Sequence, residues 1–222
     1  MKDKKIHEQR MKGYFLQATK EILKAEGLKS LSVRNIAEKA GYSYTTMYSY
    51  FQDINDLIFL CVHDFYEECK LYVKDRTKKR GKNTTHLKST IRAYADFFIQ
   101  YPGIFDLFFI EKMEDFGNKK SIVDVINSSL DQICEEAWND CIALNLISAD
   151  HIEIMKSQVR STVFGLLLLY LNRRIPSSYT AFVNQLNIQL DRIFDISTGT
   201  ALSTENATVN NALISIKVGN NR

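Results

Sequence analysis

Apolar positions along the chain fall into helical rhythm near its beginning. Met11, Phe15, Ala18, Ile22 and Ala25 recur at steps of 4, 3, 4 and 3, which places them on one face of a helix. That helix is expected from about Lys5 to Glu26, with Gly27 as its natural stop. Ser32 then offers a side-chain oxygen to free backbone N–H groups. Behind it Val33, Ile36, Ala37 and Ala40 follow the i, i+3, i+4, i+7 pattern of a short amphipathic helix closed by Gly41. Ser43 can cap a third, very short helix containing Met47, Tyr48 and Phe51. Asp53 can cap a fourth, carrying Leu57, Ile58, Cys61, Phe65 and Cys69.

The fourth helix leads into KDRTKKRGKNTT, residues 74–85, a basic and polar stretch that reads as the best boundary in the chain. Beyond it the spacing predicts a helix from about Leu87 to Gln100, ending where Pro102 restricts Tyr101. A short aromatic helix, GIFDLFFIE, comes next, then a loop at residues 116–120. One long helix is expected through Ile122, Ile126, Leu130, Ile133, Ala137, Cys141 and Leu144. Another covers about Asp150 to Arg174, and a last one starts near Ser178 with Val183, Leu186, Leu190 and Ile193. Residues 197–222 differ in kind, being rich in Ser, Thr and Asn. Ile214, Ile216 and Val218 alternate there with polar residues, a strand-like period in a segment expected to be flexible or loosely attached.

With 9 Gly and 2 Pro in 222 residues, few turns can be punctuated, which fits an all-α fold better than a many-stranded one. The charged start is unlike a signal peptide. The longest apolar run, Phe164 to Leu171, is far short of the ~20 residues that span a bilayer. A cytoplasmic protein without a membrane partner is therefore expected. The cysteines at 61, 69, 134 and 141 form no Cys-x-x-Cys pair and read as free, buried thiols. The histidines stand alone, so no metal site is expected. No phosphate-cradling glycine loop or nucleophile elbow is visible, and neither catalysis nor a cofactor is expected.

Charge is uneven. Residues 1–50 hold ten Lys/Arg and five Asp/Glu, a balance of +5, while residues 86–196 hold ten and fourteen, a balance of −4. A basic front on an acidic body suits an N-terminal part that meets a polyanion.

Ser32 to Leu57, SVRNIAEKAGYSYTTMYSYFQDINDL, is the informative stretch. Two short helices around Gly41 make either a helix-turn-helix or a plain helical hairpin. Val33, Ile36, Ala37, Ala40, Met47, Tyr48 and Phe51 can pack the pair onto a third helix. The leftover face carries Tyr44, Thr45, Ser49 and Tyr50, whose hydroxyls suit base edges and phosphate oxygens.

The stretch resembles the DNA-binding domain of the tetracycline-repressor family. The matching residues are Val33-Arg34-Asn35-Ile36-Ala37, Ala40-Gly41-Tyr42-Ser43, Met47-Tyr48-Ser49-Tyr50-Phe51 and Asp56-Leu57. The resemblance implies that Ser43 to Tyr50 enters the major groove. Arg34, Tyr44 and Thr45 would read bases, and Thr46, Tyr48 and Tyr50 would hold phosphates. Gln52 stands where the family often has Lys, Ile54 where a basic or polar residue is common, and Tyr44 where a basic or amide side chain is frequent. Backbone grip must then lean on Lys2, Lys4, Lys5, Arg10 and the tyrosines.

By the same resemblance residues 1–52 form a helix-turn-helix domain that binds a palindromic operator in double-stranded DNA. Residues 53–196 form a helical domain that binds a ligand and makes a homodimer, with 197–222 as a polar tail. Tyr94, Phe97, Phe98, Tyr101, Phe105, Phe108 and Phe109, with Trp138 and Phe164, either line a cavity for a hydrophobic or cationic effector or form a packed core. The function implied is a transcriptional repressor released by that effector. The rivals are a regulator of the same fold controlled by a protein or by nothing, a helical carrier or enzyme without DNA binding, and a redox sensor acting through Cys61 or Cys69.

Overall fold

The computed structural model describes residues 2–78, 81, 83–111 and 120–197. Among them there are ten α-helices and no strand, the all-α class that the hydrophobic spacing predicts. The strand-like alternation at Ile214 to Val218 and the loop at 116–119 lie outside the described residues.

Helix α1 runs Lys2–Glu26 and is followed by a single 3-10 turn, Leu28–Ser30. Helix α2, Val33–Ala40, begins where Ser32 Oγ accepts the Asn35 N–H at 3.1 Å. It ends at Gly41, whose φ of 77° is left-handed. Tyr42 N–H then donates to Ala37 O at 3.0 Å and Gly41 N–H to Glu38 O at 3.1 Å, the paired bonds that close a helix on a glycine. Helix α3, Tyr44–Tyr48, starts on Ser43, whose Oγ accepts Thr46 N–H. Helix α4, Ile54–Thr77, starts on Asp53 in the same way, accepting Asp56 N–H. These caps are one-residue decisions, which is why spacing alone locates them.

Helix α5 is Thr84–Gln100, opening three residues earlier than its apolar pattern because Asn83 Oδ1 accepts His86 N–H. Helix α6, Pro102–Phe105, passes directly into a wider π turn over Asp106–Ile110, where Glu111 N–H reaches back to Asp106 O at 2.9 Å. The long helix expected from Ile122 to Leu144 is two: α7, Lys120–Ile133, and α8, Glu135–Ala143. The break at Cys134 (φ −91°, ψ 0°) leaves the apolar period intact on both sides, so the pattern conceals it. Leu144 falls past the end of α8 and is exposed. Helices α9, Ile152–Leu171, and α10, Tyr179–Ser197, are the last among the described residues.

The contacts divide the chain into two compact units, one of residues 1–78 and 93–133, the other of residues 79–92 and 134–222. In the first unit α1, α2, α3 and the start of α4 enclose a small core of Met11, Phe15, Ala18, Ile22, Ile36, Met47, Phe51 and Leu57. Phe15 and Phe51 meet edge to face, with ring centres 6.3 Å apart. Ala25, expected on this apolar face, is exposed in the last turn of α1.

Along its length α1 is also tied to α4 by charge. Lys20 Nζ lies 3.0 Å from Asp64 and 2.6 Å from Glu68, and Lys24 Nζ lies 2.6 Å from the other Glu68 oxygen. Both ammonium groups sit over the Phe65 ring, and Lys24 also sits 5.0 Å from the centre of the Tyr101 ring.

The second unit contains Trp138 packed edge to face on Phe194, with Lys88 over the same Phe194 ring and ion-paired to Asp191. Tyr170 lies against Phe182. Ile154, Leu168, Leu169 and Ile188 on α9 and α10 remain exposed.

Candidate nucleic-acid interface

Helices α2 and α3 present one face to solvent. Arg34, at the second position of α2, is exposed and makes no hydrogen bond or ion pair among the described residues. Tyr44 opens α3 with 63% of its surface exposed, and Tyr48, one turn on, is 52% exposed. Thr45 and Ser49 are exposed beside them. The sequence-predicted base readers Arg34, Tyr44 and Thr45 are therefore each accessible.

The remaining hydroxyls are less free. Thr46 is half-buried, and its Oγ1 lies 2.9 Å from Ser43 Oγ inside the cap of α3. Ser49 Oγ donates to Thr45 O at 3.3 Å. Tyr48 and Tyr50 also exchange the places that a continuous helical wheel gives them. Tyr48, counted among the packing residues, points outward, whereas Tyr50 is half-buried against the Phe15–Phe51 core. The reason is that α3 ends at Tyr48, and Tyr50 N–H closes a turn onto Met47 O at 2.9 Å.

Acidic groups follow at once. Asp53 caps α4, and Asp56 reaches back to accept Gln52 N–H at 2.9 Å. One carboxylate thus occupies a first-turn backbone donor of α4 and the other the Gln52 N–H just ahead of it, and both place negative charge at a helix end that would otherwise attract an anion. Cations lie elsewhere: Lys4, Lys5 and Arg10 are exposed on the first turns of α1. Lys39 is engaged by Glu21 at 3.2 Å and Lys12 by Glu8 at 2.8 Å. The two departures at Gln52 and Ile54 therefore coincide with a stretch whose local charge is negative.

Residues 15–61, from the second half of α1 into α4, match the family model described as bacterial regulatory proteins, tetR family. Residues 15–61 thus carry the N-terminal sequence pattern of the tetR family. Solved structures extend the likeness in fold beyond this domain. A protein assigned to the tetR family of transcription regulators from Shewanella sp. PV-4 is 14% identical, with a TM-score of 0.63 over 84% of this chain and 97% of its own. A tetR family transcription regulator from Marinobacter aquaeolei VT8 is 18% identical, with a TM-score of 0.59 over 86% and 97%. A protein of unknown function from Rhodococcus sp. RHA1 is 15% identical, with a TM-score of 0.69 over 83% and 94%. Among curated proteins no relative is detected by sequence.

Outside the tetR-type head, seven of the nine expected ligand residues form one connected group of rings in the first unit. Phe98 meets Tyr94, Phe97, Phe105, Phe108 and Phe109 at centre distances of 5.0 to 6.0 Å. Tyr101 joins through Phe97 at 5.3 Å. The Tyr94 hydroxyl, an expected orienting group for a ligand, is buried 2.7 Å from Ser129 Oγ. Trp138 and Phe164 belong to the second unit.

One feature of this group escapes the sequence. Gly103 in α6 lies so close to the end of α1 that an added Cβ would fall 2.1 Å from Leu23 O and 3.3 Å from Gly27 N. Backbone meets backbone there, joining the helix beside the rings to the first helix of the head. The Lys20–Lys24–Asp64–Glu68 group was also missed. Its signal was available, since each helix carries a like-charged pair four residues apart.

Among the described residues no helix is long and apolar enough to cross a membrane, and no three His, Cys, Asp or Glu side chains are grouped to hold a metal ion. All four cysteines are buried and none is in a disulfide, and burial pushes the Cys61 thiol far up. That disfavours the thiolate on which redox sensing depends.

Proposed function

We propose that this chain is a transcriptional repressor that binds a palindromic operator as a homodimer and leaves it when a small molecule binds. The observation that carries the DNA-binding part is the exposure of Arg34 on α2 and of Tyr44, Thr45 and Tyr48 on α3, two short capped helices joined at Gly41. Base edges in the major groove match such donors, and Lys4, Lys5 and Arg10 on α1 supply the phosphate grip that α4 lacks. Work in the cytoplasm and absence of catalysis follow from the same reading.

Dimerisation is supported by the exposed Ile154, Leu168, Leu169 and Ile188 and by Gly165, whose Cβ position faces open space. A shallow recess of about 350 Å³ between α9 and α10, lined by Ser157, Gln158, Ser161, Thr162, Gln189 and Ile193, adds polar partners to that surface. A two-fold pairing of such faces gives two heads and hence a palindromic site.

For release, the ring group around Phe98 is the proposed effector site, with Trp138 and Phe164 as further candidates. A ligand that pushes these rings apart moves α6, and the Gly103–Leu23 contact passes that shift to α1. The ligand must favour the non-binding arrangement, since equal affinity for both shifts nothing. A second reading, a regulator without an effector, is favoured by the edge-to-face filling of the ring group and by the Tyr94–Ser129 bond.

The deciding experiment is fluorescence anisotropy with duplexes drawn from a genomic library. The expected outcome is one saturable palindromic site, with half-sites about 34–36 Å apart or a multiple of it. Its affinity should fall steeply as salt rises, because bound counterions leave the phosphates. Absence of any saturable site below micromolar protein would sink the repressor reading.

A further inference from the structure

From Gly41 to Phe51 the chain is GYSYTTMYSYF. It contains no Lys or Arg, no Asp or Glu, and no Asn or Gln. The whole of α3 and both its flanks are therefore without the side chains that read bases by paired hydrogen bonds. Guanine is read by a fork onto O6 and N7, adenine by an amide onto N6 and N7, and cytosine by a carboxylate onto N4. None of these is possible from α3.

The groups left on its outer face are two phenol rings and a threonine. Tyr44 and Tyr48 are exposed and one helical turn apart. Thr45, also exposed, stands beside Tyr44. Thr46 and Ser49 are bound to Ser43 and to the Thr45 carbonyl, so their hydroxyls are engaged within the helix. A rise of about 6 Å along the helix axis separates the two positions, close to two base steps. Ring edges and a threonine methyl have one good partner on the major-groove floor, the C5-methyl group of thymine.

We propose that α3 reads its half-site through thymine methyl groups, with Tyr44, Thr45 and Tyr48 as the readers. The operator is then A·T-rich beneath α3 and carries a specified guanine only where Arg34, on α2, reaches. This inference rests on the DNA-binding reading above and names the base chemistry that the same surface selects.

The test is selection of binding sites from a random duplex library by the full chain, followed by replacing dT with dU at each enriched position. That replacement removes the methyl group and leaves base pairing intact. Enriched half-sites should be A·T-rich beneath α3, and affinity should drop about fourfold for each contacted thymine, the worth of one buried methyl. Tyr44→Phe should keep the preference for dT over dU at every contacted position, and Tyr44→Ala should lose it at the thymine beneath residue 44 alone. A melting curve on each variant separates lost contact from lost folding. A G·C-rich core, or equal binding of dT and dU duplexes, overturns the thymine reading alone. If no sequence is enriched, the DNA-binding reading falls with it.

Discussion

Two junctions hold the first unit together, and they use opposite chemistry. Where α1 meets α4, Lys20 and Lys24 face Asp64 and Glu68 over the Phe65 ring. Where α5 meets α6 and the π turn, Phe98 is surrounded by five other rings. The first junction is made of flexible, partly exposed ions whose attraction is screened by salt. The second is made of close-packed rings that cannot shift without opening a void. A charged junction tolerates sliding, because long side chains can follow each other. A ring cluster resists it, so a change imposed there is transmitted as a displacement of helices.

The strongest way to break this contrast is Phe98→Ala. Its ring is fully buried, and truncation should cost about 3–5 kcal/mol, read as a lower midpoint in urea unfolding. A loss well under 1 kcal/mol would show that the cluster is loosely packed. Gly103→Ala comes next. Its methyl would meet Leu23 O, a backbone atom with no freedom to turn aside, and a cost of about 1–3 kcal/mol is expected. Chemical shifts should move in α1 as well as α6. If α1 is silent, the two helices are not mechanically joined.

The charged junction should give the smallest effect. Burial alone pushes the Glu68 carboxyl up, but hydrogen bonds from Lys20 and Lys24 outweigh it and hold the group below its ordinary value of 4.5. Its contribution is therefore present above pH 4.5 and is lost as pH falls through the lower folded value. Lys20 is shifted oppositely. Burial pushes it down, yet Glu68 and Asp64 raise it above 10.5, so its share persists until the pH rises past that value. Glu68→Gln should cost about 1 kcal/mol or less at neutral pH. The cost should shrink in high salt and vanish in acid. A cost independent of salt and pH would assign the residue to packing.

The sequence made the local elements legible. Ser32, Gly41, Ser43 and Asp53 each act within a few residues of themselves, so the four N-terminal helices could be bounded by inspection. The helix break at Cys134 could not, because Leu130, Ile133, Ala137 and Cys141 keep one face across it. The reversal of Tyr48 and Tyr50 was hidden for a related reason, since a wheel drawn through both assumes a helix that ends at Tyr48. Gly103 shows another kind of opacity. Its requirement comes from a carbonyl eighty residues earlier, at Leu23, and no window along the chain contains both. The exposed face of α3 lay between these extremes: its residues were nameable, but the hydrogen bonds that engage Thr46 and Ser49 needed coordinates.

The cysteines carry an unplanned consequence. Cys61 and Cys69 lie in one unit and Cys134 and Cys141 in the other, and each is at most 2% exposed. A thiol reagent in solution reaches none of them in the closed fold, so reaction must wait for a fluctuation that uncovers the sulfur. The rate of each modification then measures an opening equilibrium, as amide exchange does, with a mass tag in place of deuterium. Two reporters per unit make the chain its own stopwatch. Without an added probe, peptide mass spectrometry can time the breathing of one unit against the other, with and without DNA.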